Sequence, residues 1–489
     1  MEQFADWALN VAALRGASYA DARVVENRSR ALATKNGRVA GASDATSLGI
    51  GVRVIADGAW GFAASDNLAR KAVEDTAARA VAIAKASAKV KQQPVRLAPE
   101  KPCTAEWTTP CKVDPFTISI EQNLSLLSQV DRELRSVKGV TLAETSMNFQ
   151  REEKWFASSE GSKIHQTKYS TGAGFAVYAF AGNDIQKRSY PTSYGGQWQS
   201  KGYELINELE VVENARRIAE ECLALHKADQ CPEGAFDIIL DSSQLGLQIH
   251  ESIGHPIELD RVLGMEANFA GTSFLTLDKL SKLRYGSDLV NVVADARQEH
   301  GPGLGTFAFD DEGVPAQCTP IISNGLFTGY LSSRDTAHAI GANRSGGTLR
   351  AENWNRLPII RITNVSILPG VDPLTLEQLI SSTDYGILMQ TNKSWSIDDK
   401  RYNFQFGCEI GWEIKNGKRT RLLKNPSYSG ITTEFWNSMD AICSKDEWTL
   451  WGTPNCGKGQ PQQVMGTGHG AAPARFLNIK VGTAYKGST

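Results

Sequence analysis

The feature that most constrains the fold of this 489-residue chain is an alternation of apolar and polar positions late in the sequence. Every second residue from Tyr402 to Ile414 is apolar or aromatic, and the residues between them are polar or glycine. This period of two predicts a β-strand with one buried face. An Asn-Gly pair at 416–417 then predicts a tight hairpin turn. Gly407 and Gly411, on the polar face, indicate either a bulge or the close approach of another backbone.

Helix and strand patterns alternate over the first half of the chain. Apolar spacing and helix-forming composition predict helices near 4–16, 66–91, 124–134 and 204–228. Five prolines between residues 94 and 115 indicate an irregular linker. From residue 236 onwards the chain is mostly strand-like, so the Pro- and Gly-containing segment 229–234 is a plausible domain boundary.

Composition disfavours several classes of function. Lys plus Arg number 52 and Asp plus Glu 54, and the net charge of −2 argues against a nucleic-acid binder with a basic face. The N-terminus lacks the pattern of a secretory signal, and no apolar run approaches the roughly 18 residues of a membrane span. The eight cysteines show no paired framework, which is typical of reduced thiols. We therefore expect a cytoplasmic protein that binds neither nucleic acid nor membrane.

The segment most indicative of chemistry is an HExxxH pattern formed by His250, Glu251 and His255. On a regular helix, residues five apart point about 140° away from each other and lie about 7.5 Å apart along the axis, so they could not bind one metal ion. Gly254 allows the backbone to leave helical geometry, and Pro256 disfavours the α conformation at His255. The helix is therefore expected to distort or end there, or to contain a π-bulge, so that both imidazoles converge.

Two histidines make an incomplete metal site, because a catalytic zinc ion usually has three protein ligands and one open position. Cys456 is the leading candidate for the third, since it lies in a Gly- and Pro-rich loop that could bring a thiolate close to the metal. Spacing alone does not select it over His469 or Glu258. Glu251, next to a ligand histidine, is the candidate general base.

These motifs, with others along the chain, resemble the TldD/PmbA family of metalloproteases, and its TldD branch in particular. The segments that carry the resemblance are 18–23, 51–54, 60–62, 250–261, 266–273, 310–317, 403–414, 455–460 and 468–471. The resemblance implies that His250, His255 and Cys456 bind zinc and that Glu251 is the general base. It also implies an α+β fold with two domains. The first, 1–231, would be an N-terminal α/β domain with helices and antiparallel strands, and the second, 232–489, a β-rich domain carrying the zinc-binding helix.

The resemblance further implies hydrolysis of peptide bonds in unfolded or extended peptides, in peptide maturation or degradation. It implies a partner as well, either a TldE/PmbA-like paralog that lacks the zinc motif or a second copy of this chain. The alternative function is a non-catalytic zinc-stabilised module that modulates a partner protein, which a fourth protein ligand would indicate.

Four further expectations concern residues near these motifs. Glu258 and Asp260 should orient a ligand histidine or form structural ion pairs. His469, between two glycines, is expected to lie in a turn. The acidic run 310–312 reads as a loop that lacks the ligand spacing of a calcium site. The glycine-bearing face of 403–413 could admit an extended substrate.

Overall fold

A computed structural model describes residues 1–268 and 271–482. The fold is mixed α and β, with mostly antiparallel sheets and a β-rich C-terminal half, as the sequence predicts. Within the described residues, no helix has both the length and the apolar character needed to cross a membrane.

The N-terminal half is built on one sheet covered by helices. Its helices are α1 (Glu2–Leu14), α2 (Arg70–Ser87), α3 (Ile120–Ser136), α4 (Glu204–Glu208) and α5 (Val211–Ala224). Its strands are β1 (Tyr19–Lys35), β2 (Arg38–Ala56), β3 (Ala59–Ser65), β4 (Thr104–Thr108), β5 (Leu142–Ser158), β6 (Lys163–Ala181), β7 (Asp184–Tyr190) and β8 (Gln197–Gln199). The strand order is β3-β2-β1-β5-β6-β4, and β7 and β8 also pair with β6. One apolar cluster lies under α1 and α2, and another lies under α3 and α5.

The proline-rich segment 94–115 is not wholly irregular. It contains β4, which pairs in parallel with β6 from Thr104 opposite Lys163 to Thr108 opposite Thr167. The prolines lie outside this short strand, where no ladder hydrogen bond is needed from them. Part of the expected linker is therefore an edge strand of the N-terminal sheet.

The C-terminal half is dominated by strands. They are β9 (Asp229–Gln230), β10 (Gly234–Leu240), β11 (Val292–Asp295), β12 (Cys318–Ser323), β13 (Leu326–Phe327), β14 (Leu349–Arg350), β15 (Ile359–Ile360), β16 (Val365–Ile367), β17 (Tyr385–Ile397), β18 (Asn403–Lys415), β19 (Lys418–Lys424), β20 (Ser427–Ile431), β21 (Met439–Ile442), β22 (Thr449–Lys458), β23 (Gln463–Ala471) and β24 (Ala474–Val481). Its helices are α6 (Ser242–Ile249), a π-helix (His250–Gly254), α7 (Leu259–Val262), α8 (Leu376–Ser381) and α9 (Thr432–Asn437).

The main C-terminal sheet closes on itself. Strands pair in the ring β17-β10-β24-β20-β18, and β18 pairs back to β17. Helix α6 follows β10 directly and is buried along its whole length. Strands β22 and β23 form a separate hairpin that packs against α6. The motif helix and the Cys456 hairpin are thus held together by the central strands.

The alternating segment forms β18, and the expected hairpin follows it, with positive φ at Asn416 and Gly417. The expectation of one exposed face is wrong at the centre of the strand. Glu409, on the polar face, is fully buried and accepts hydrogen bonds from the backbone and hydroxyl of Ser189, each at 2.7 Å. Strand β7 therefore covers the face that we expected to admit substrate, and that placement is wrong too.

A buried ionic cluster joins the two halves of the chain around the acidic run 310–312. Asp311 lies 2.7 Å from Lys154 Nζ and 3.7 Å from Arg23 Nη1, both on strands of the N-terminal sheet. Glu312 similarly lies 3.3 Å from Arg53 Nη2. The run is a loop, as expected, but it is a structural one, because buried charges are stable only when they are paired.

We predict that Asp311→Ala lowers the free energy of unfolding by about 3–5 kcal/mol, because the buried Arg23 would lose its counter-charge and Lys154 would lose one of its two partners. The measurement is urea unfolding followed by circular dichroism. Glu74→Ala, which removes an exposed pair with Arg70 on α2, is the control and should change stability by less than about 1 kcal/mol. Equal effects of the two substitutions would contradict this account of the cluster.

Candidate metal centre

A local change of helix type brings the two motif histidines together. Asp241 caps α6 by accepting a hydrogen bond from the backbone of Gln244 at 2.9 Å. The helix then widens into the π-helix, where the amide of His255 donates to the carbonyl of His250 at 3.1 Å, an i to i+5 bond. The two imidazole centroids consequently lie 4.7 Å apart. Of the distortions that the sequence allowed, the π-turn is the one that forms.

Gly254 and Pro256 act differently from our expectation. His255 keeps helical angles, with φ −70° and ψ −43°, although proline follows it, because the π-turn hydrogen bond holds it there. Gly254 has no positive φ. A β-carbon at Gly254 would lie 2.9 Å from Cδ1 of Ile362, so the glycine permits close packing rather than a break in the helix.

Cys456, on β22, is the third member of this cluster. Its Sγ atom lies 3.6 Å from Nε2 of His255, and the candidate ligand atoms of His250, His255 and Cys456 all lie within 4.8 Å of one another. The three residues are 4%, 4% and 3% exposed. Within the described part of the chain, no fourth His, Cys, Asp or Glu joins the group. Glu258 and His469, the other candidates for third ligand, contact the histidines instead.

The hydrogen bonds around the two histidines determine which ring nitrogens carry protons. His469 Nδ1 lies 3.0 Å from the carbonyl oxygen of Val365, which only accepts, so this nitrogen is protonated. Nε2 of neutral His469 is then an acceptor, and it lies 2.7 Å from Nδ1 of His250, which must donate. His255 Nδ1 donates to the carboxylate of Glu258 at 3.0 Å. Both motif histidines, when neutral, therefore keep a free lone pair on Nε2.

The electrostatic environment favours the protonation states that bind metal. Burial lowers the pKa of His250 and of His255, and it lowers the pKa of His469 well below its usual range. Burial alone would raise the pKa of Cys456, but the adjacent His255 and the guanidinium of Arg361 outweigh it and lower the pKa of the thiol. Neutral imidazoles and a thiolate are the ligand forms of these side chains.

A buried ion network supports His255. Lys458 Nζ lies 2.6 Å from Asp260 and 3.4 Å from Glu258. Burial alone would raise the pKa of Glu258, but Lys458, His255 and Arg261 outweigh it and hold the pKa far below its usual value. Glu258 thus stays ionised and holds His255 in one tautomer, an arrangement typical of the partners of metal ligands. Lys458 is two residues from Cys456, so one strand carries both a candidate ligand and the cation that anchors this network.

Glu251 is 6% exposed, and its Oε2 atom forms an ion pair with Nη1 of Arg401. Arg401 was not predicted from the sequence, and its place in a loop before β18 gave no signal. His469 was expected in a turn and instead lies inside β23, because flanking glycines 468 and 470 pack closely against Asn364 and Trp448.

The donor set fits zinc, because two imidazole nitrogens and a thiolate match its ligand preferences, and a three-ligand set leaves a position open for water or substrate. The fit rests on the free lone pairs of His250 and His255 and on the position of Sγ of Cys456, 3.6 Å from Nε2 of His255.

Three family models match in chain order: PmbA/TldA metallopeptidase domain 1 over residues 20–84, the central domain over 113–223 and the C-terminal domain over 233–482. A metalloprotease of Methanocaldococcus jannaschii is 29% identical over 92% of this chain and 95% of its own length. A metalloprotease TldD homolog of Buchnera aphidicola is 28% identical over 88% of this chain and 86% of its own.

A solved structure of TldE from Thermococcus kodakarensis superposes with a TM-score of 0.72, covers 97% of this chain and 98% of its own, and is 14% identical, which shows that the fold is shared. The three family matches define a protein of the metallopeptidase class. The chain belongs to the PmbA/TldD family of metallopeptidases. The family models divide the chain into three segments. The division into two domains at 231–232 stays a prediction.

We predict that His469→Phe weakens zinc binding about 10- to 100-fold, because His250 would lose the acceptor that holds its Nδ1 proton. Competition with a chromophoric chelator measures the affinity. His338→Phe, at an exposed histidine, is the matched control and should leave the affinity unchanged. Unchanged affinity in His469→Phe would mean that His469 does not orient His250.

Proposed function

We propose that this chain is a zinc-dependent metallopeptidase of the TldD type, which hydrolyses peptide bonds in unfolded or extended peptides, in peptide maturation or degradation. In this proposal His250, His255 and Cys456 hold the zinc ion and Glu251 is the general base. A cytoplasmic location is part of the same proposal, and it is supported by the eight cysteines, which are all unpaired.

One observation carries the proposal. The hydrogen bonds from His250 to His469 and from His255 to Glu258 leave both Nε2 lone pairs directed into one buried cluster with Cys456. The group has three members among the described residues, which supports an open fourth position. The alternative, a non-catalytic zinc-stabilised module, would need a fourth protein ligand.

When bound, zinc supplies a water molecule of lowered pKa and polarises the scissile carbonyl. The carboxylate of Glu251 would accept a proton from the attacking water and deliver it to the nitrogen of the leaving amine. Arg401 pairs with Oε2 of Glu251 and so fixes the orientation of the carboxylate, leaving Oε1 as the atom that exchanges the proton. The thiolate of Cys456 reduces the charge of the centre, so we expect modest activity that depends on how well the substrate is positioned.

The depth of the site supports an extended substrate. Glu251 and the three candidate ligands are each at most 6% exposed, so a folded domain could not bring a peptide bond to them. A single extended segment is narrow enough to enter, and main-chain hydrogen bonds would hold it with little sequence preference.

We predict that Glu251→Gln retains zinc but loses about 10²- to 10⁴-fold in the rate of peptide hydrolysis, because the amide cannot accept the proton of water. Cleavage of an unstructured peptide, with zinc content measured on the same samples, tests this. Glu299→Gln, in a turn outside the centre, is the control. Undiminished cleavage by Glu251→Gln would remove this residue from the role of base.

We predict that Cys456→Ala lowers the bound zinc well below one ion per chain at equilibrium, because only two histidine ligands remain. Cys443→Ala, which also removes a fully buried thiol, controls for loss of packing and should retain the metal. Full zinc content in Cys456→Ala would exclude Cys456 as a ligand, whatever the effect on activity.

The partner proposed here is a TldE/PmbA-like paralog without the zinc motif, or a second copy of this chain. The likeness to a TldE structure supports a partner of the same fold. We expect the purified chain to cleave peptide slowly and to gain activity when mixed with its paralog, measured together with mass in solution by light scattering. Full activity of a strictly monomeric chain would contradict the requirement for either partner.

A further inference from the structure

A second candidate binding site lies in a cavity of about 390 Å³ between the N-terminal sheet and the C-terminal half, beside the hairpin that carries Cys456. Lys168 on β6 and Arg350 on β14 both line it, and none of the three candidate metal ligands does. Exposed residues Ser29, Ala31 and Gln150 lie on its wall, so solvent reaches the cavity on that side. A volume of this size is typical of small-molecule sites.

Two cations of this cavity contact only neutral oxygens. Arg350 Nη1 donates to the carbonyl of Ile362 at 3.0 Å, and both Nη atoms lie 3.1 Å from the carbonyl of Gly466. Lys168 Nζ donates to the carbonyl of Leu304. Among residues 1–268 and 271–482, neither cation has a carboxylate oxygen within 4.0 Å, although buried charges in proteins are normally paired.

The carboxylates on the cavity wall are already engaged. Glu152 and Asp311 both pair with Lys154, at 3.0 and 2.7 Å. Asp310 accepts hydrogen bonds from backbone amides, one of them from Leu349 at 3.1 Å. Glu352 lies 3.8 Å from Arg356. Among the described residues, Lys168 and Arg350 therefore have no carboxylate in direct contact, and Glu152, opposite Lys168 on β5, and Asp311 act on them only from a distance.

The lowered pKa values of the two cations reflect the electrostatic cost of this arrangement. Burial, with repulsion from Arg350, lowers the pKa of Lys168 to about 7, and burial lowers the pKa of Arg350 to about 10. A bound anion would restore the missing counter-charge. Carboxylates suit this pair, because the guanidinium can bind both oxygens of one carboxylate while the ammonium supplies a further donor.

Five aromatic side chains also line the cavity. The side chains concerned are Trp107, Phe149, Trp198, Phe307 and Phe309. A ligand that matches both parts of the wall has a carboxylate at one end and a flat or branched apolar group at the other, since apolar walls with a few placed polar groups give affinity and orientation together. We propose that this cavity binds a small carboxylate carrying an aromatic or branched apolar group, through Lys168 and Arg350.

The first test uses 3-phenylpropionate and its uncharged analogue 3-phenylpropionamide as probes, with binding to the full-length chain measured by saturation-transfer NMR and calorimetry. Metal is removed with a chelator beforehand, so that a carboxylate bound to zinc is not mistaken for this site. We expect the carboxylate to bind at least 10-fold more tightly than the amide. Equal binding of the two, or no binding of the carboxylate at millimolar concentration, would overturn the proposal without any variant.

Substitution of the two cations tests whether the probe binds in this cavity. Lys168→Met and Arg350→Met should each weaken binding of 3-phenylpropionate about 10- to 100-fold, whereas Lys163→Met, on the same strand but outside the cavity, should not. Glu251→Gln should bind the probe as the wild type does, so the outcome does not depend on the proposed hydrolysis. Unaltered affinity in both Lys168→Met and Arg350→Met would exclude these residues and overturn the assignment.

A last experiment distinguishes a peptide C-terminus from a free small acid as the natural ligand. Acetyl-Ala-Phe with a free carboxyl terminus is compared with its C-terminal amide. Carboxylate-selective binding of this dipeptide would identify peptide C-termini as ligands of the cavity. Binding of 3-phenylpropionate alone would identify a free small acid as the ligand.

Discussion

The hydrogen bond between His250 and His469 is the interaction on which the candidate metal centre depends. It fixes the direction of donation, from Nδ1 of His250 to His469 and from His469 to the carbonyl of Val365, and so leaves Nε2 of His250 without a proton. This order requires that His469 be neutral, and burial, together with the neighbouring His250, lowers its pKa well below the usual range. The protonation states of the centre therefore depend on tight packing of the sheet core. A looser core would let water reach the hydrogen bonds between His250, His469 and Val365.

Much of the fold follows from local sequence patterns. The alternation of β18 and the Asn-Gly turn after it gave the strand and its hairpin, because both depend on side-chain periodicity and on the backbone angles of two residues. The burial of Glu409 could not be predicted, since it depends on a β7 strand more than two hundred residues earlier. The β4 strand was missed for a related reason. Its neighbours are prolines, and its pairing partner is distant in sequence.

The candidate site, like the fold, could be predicted from the sequence only in part. His250, Glu251 and His255 stand out from spacing alone, and the π-turn was one of few geometries that could unite the histidines. Cys456 needed the family resemblance. The contacts made by Arg401, Lys458 and His469 arise from tertiary packing, and their residue types and neighbours are ordinary. Positions that support a centre, rather than form it, are therefore the ones that sequence patterns show least.

The wide separation of the cluster in the sequence has a consequence for synthesis of the chain. His255 and Cys456 are 201 residues apart, so at 5–20 residues per second a ribosome needs about 10–40 s to add the third member after the second. His469 and β24, the partner of β10, are made later still. A nascent chain that already contains both motif histidines lacks the strand pairing, the thiol and the proton acceptor of His250. Any ion bound early by those histidines would be weakly held, and the complete cluster can form only once Cys456 and His469 have both been made.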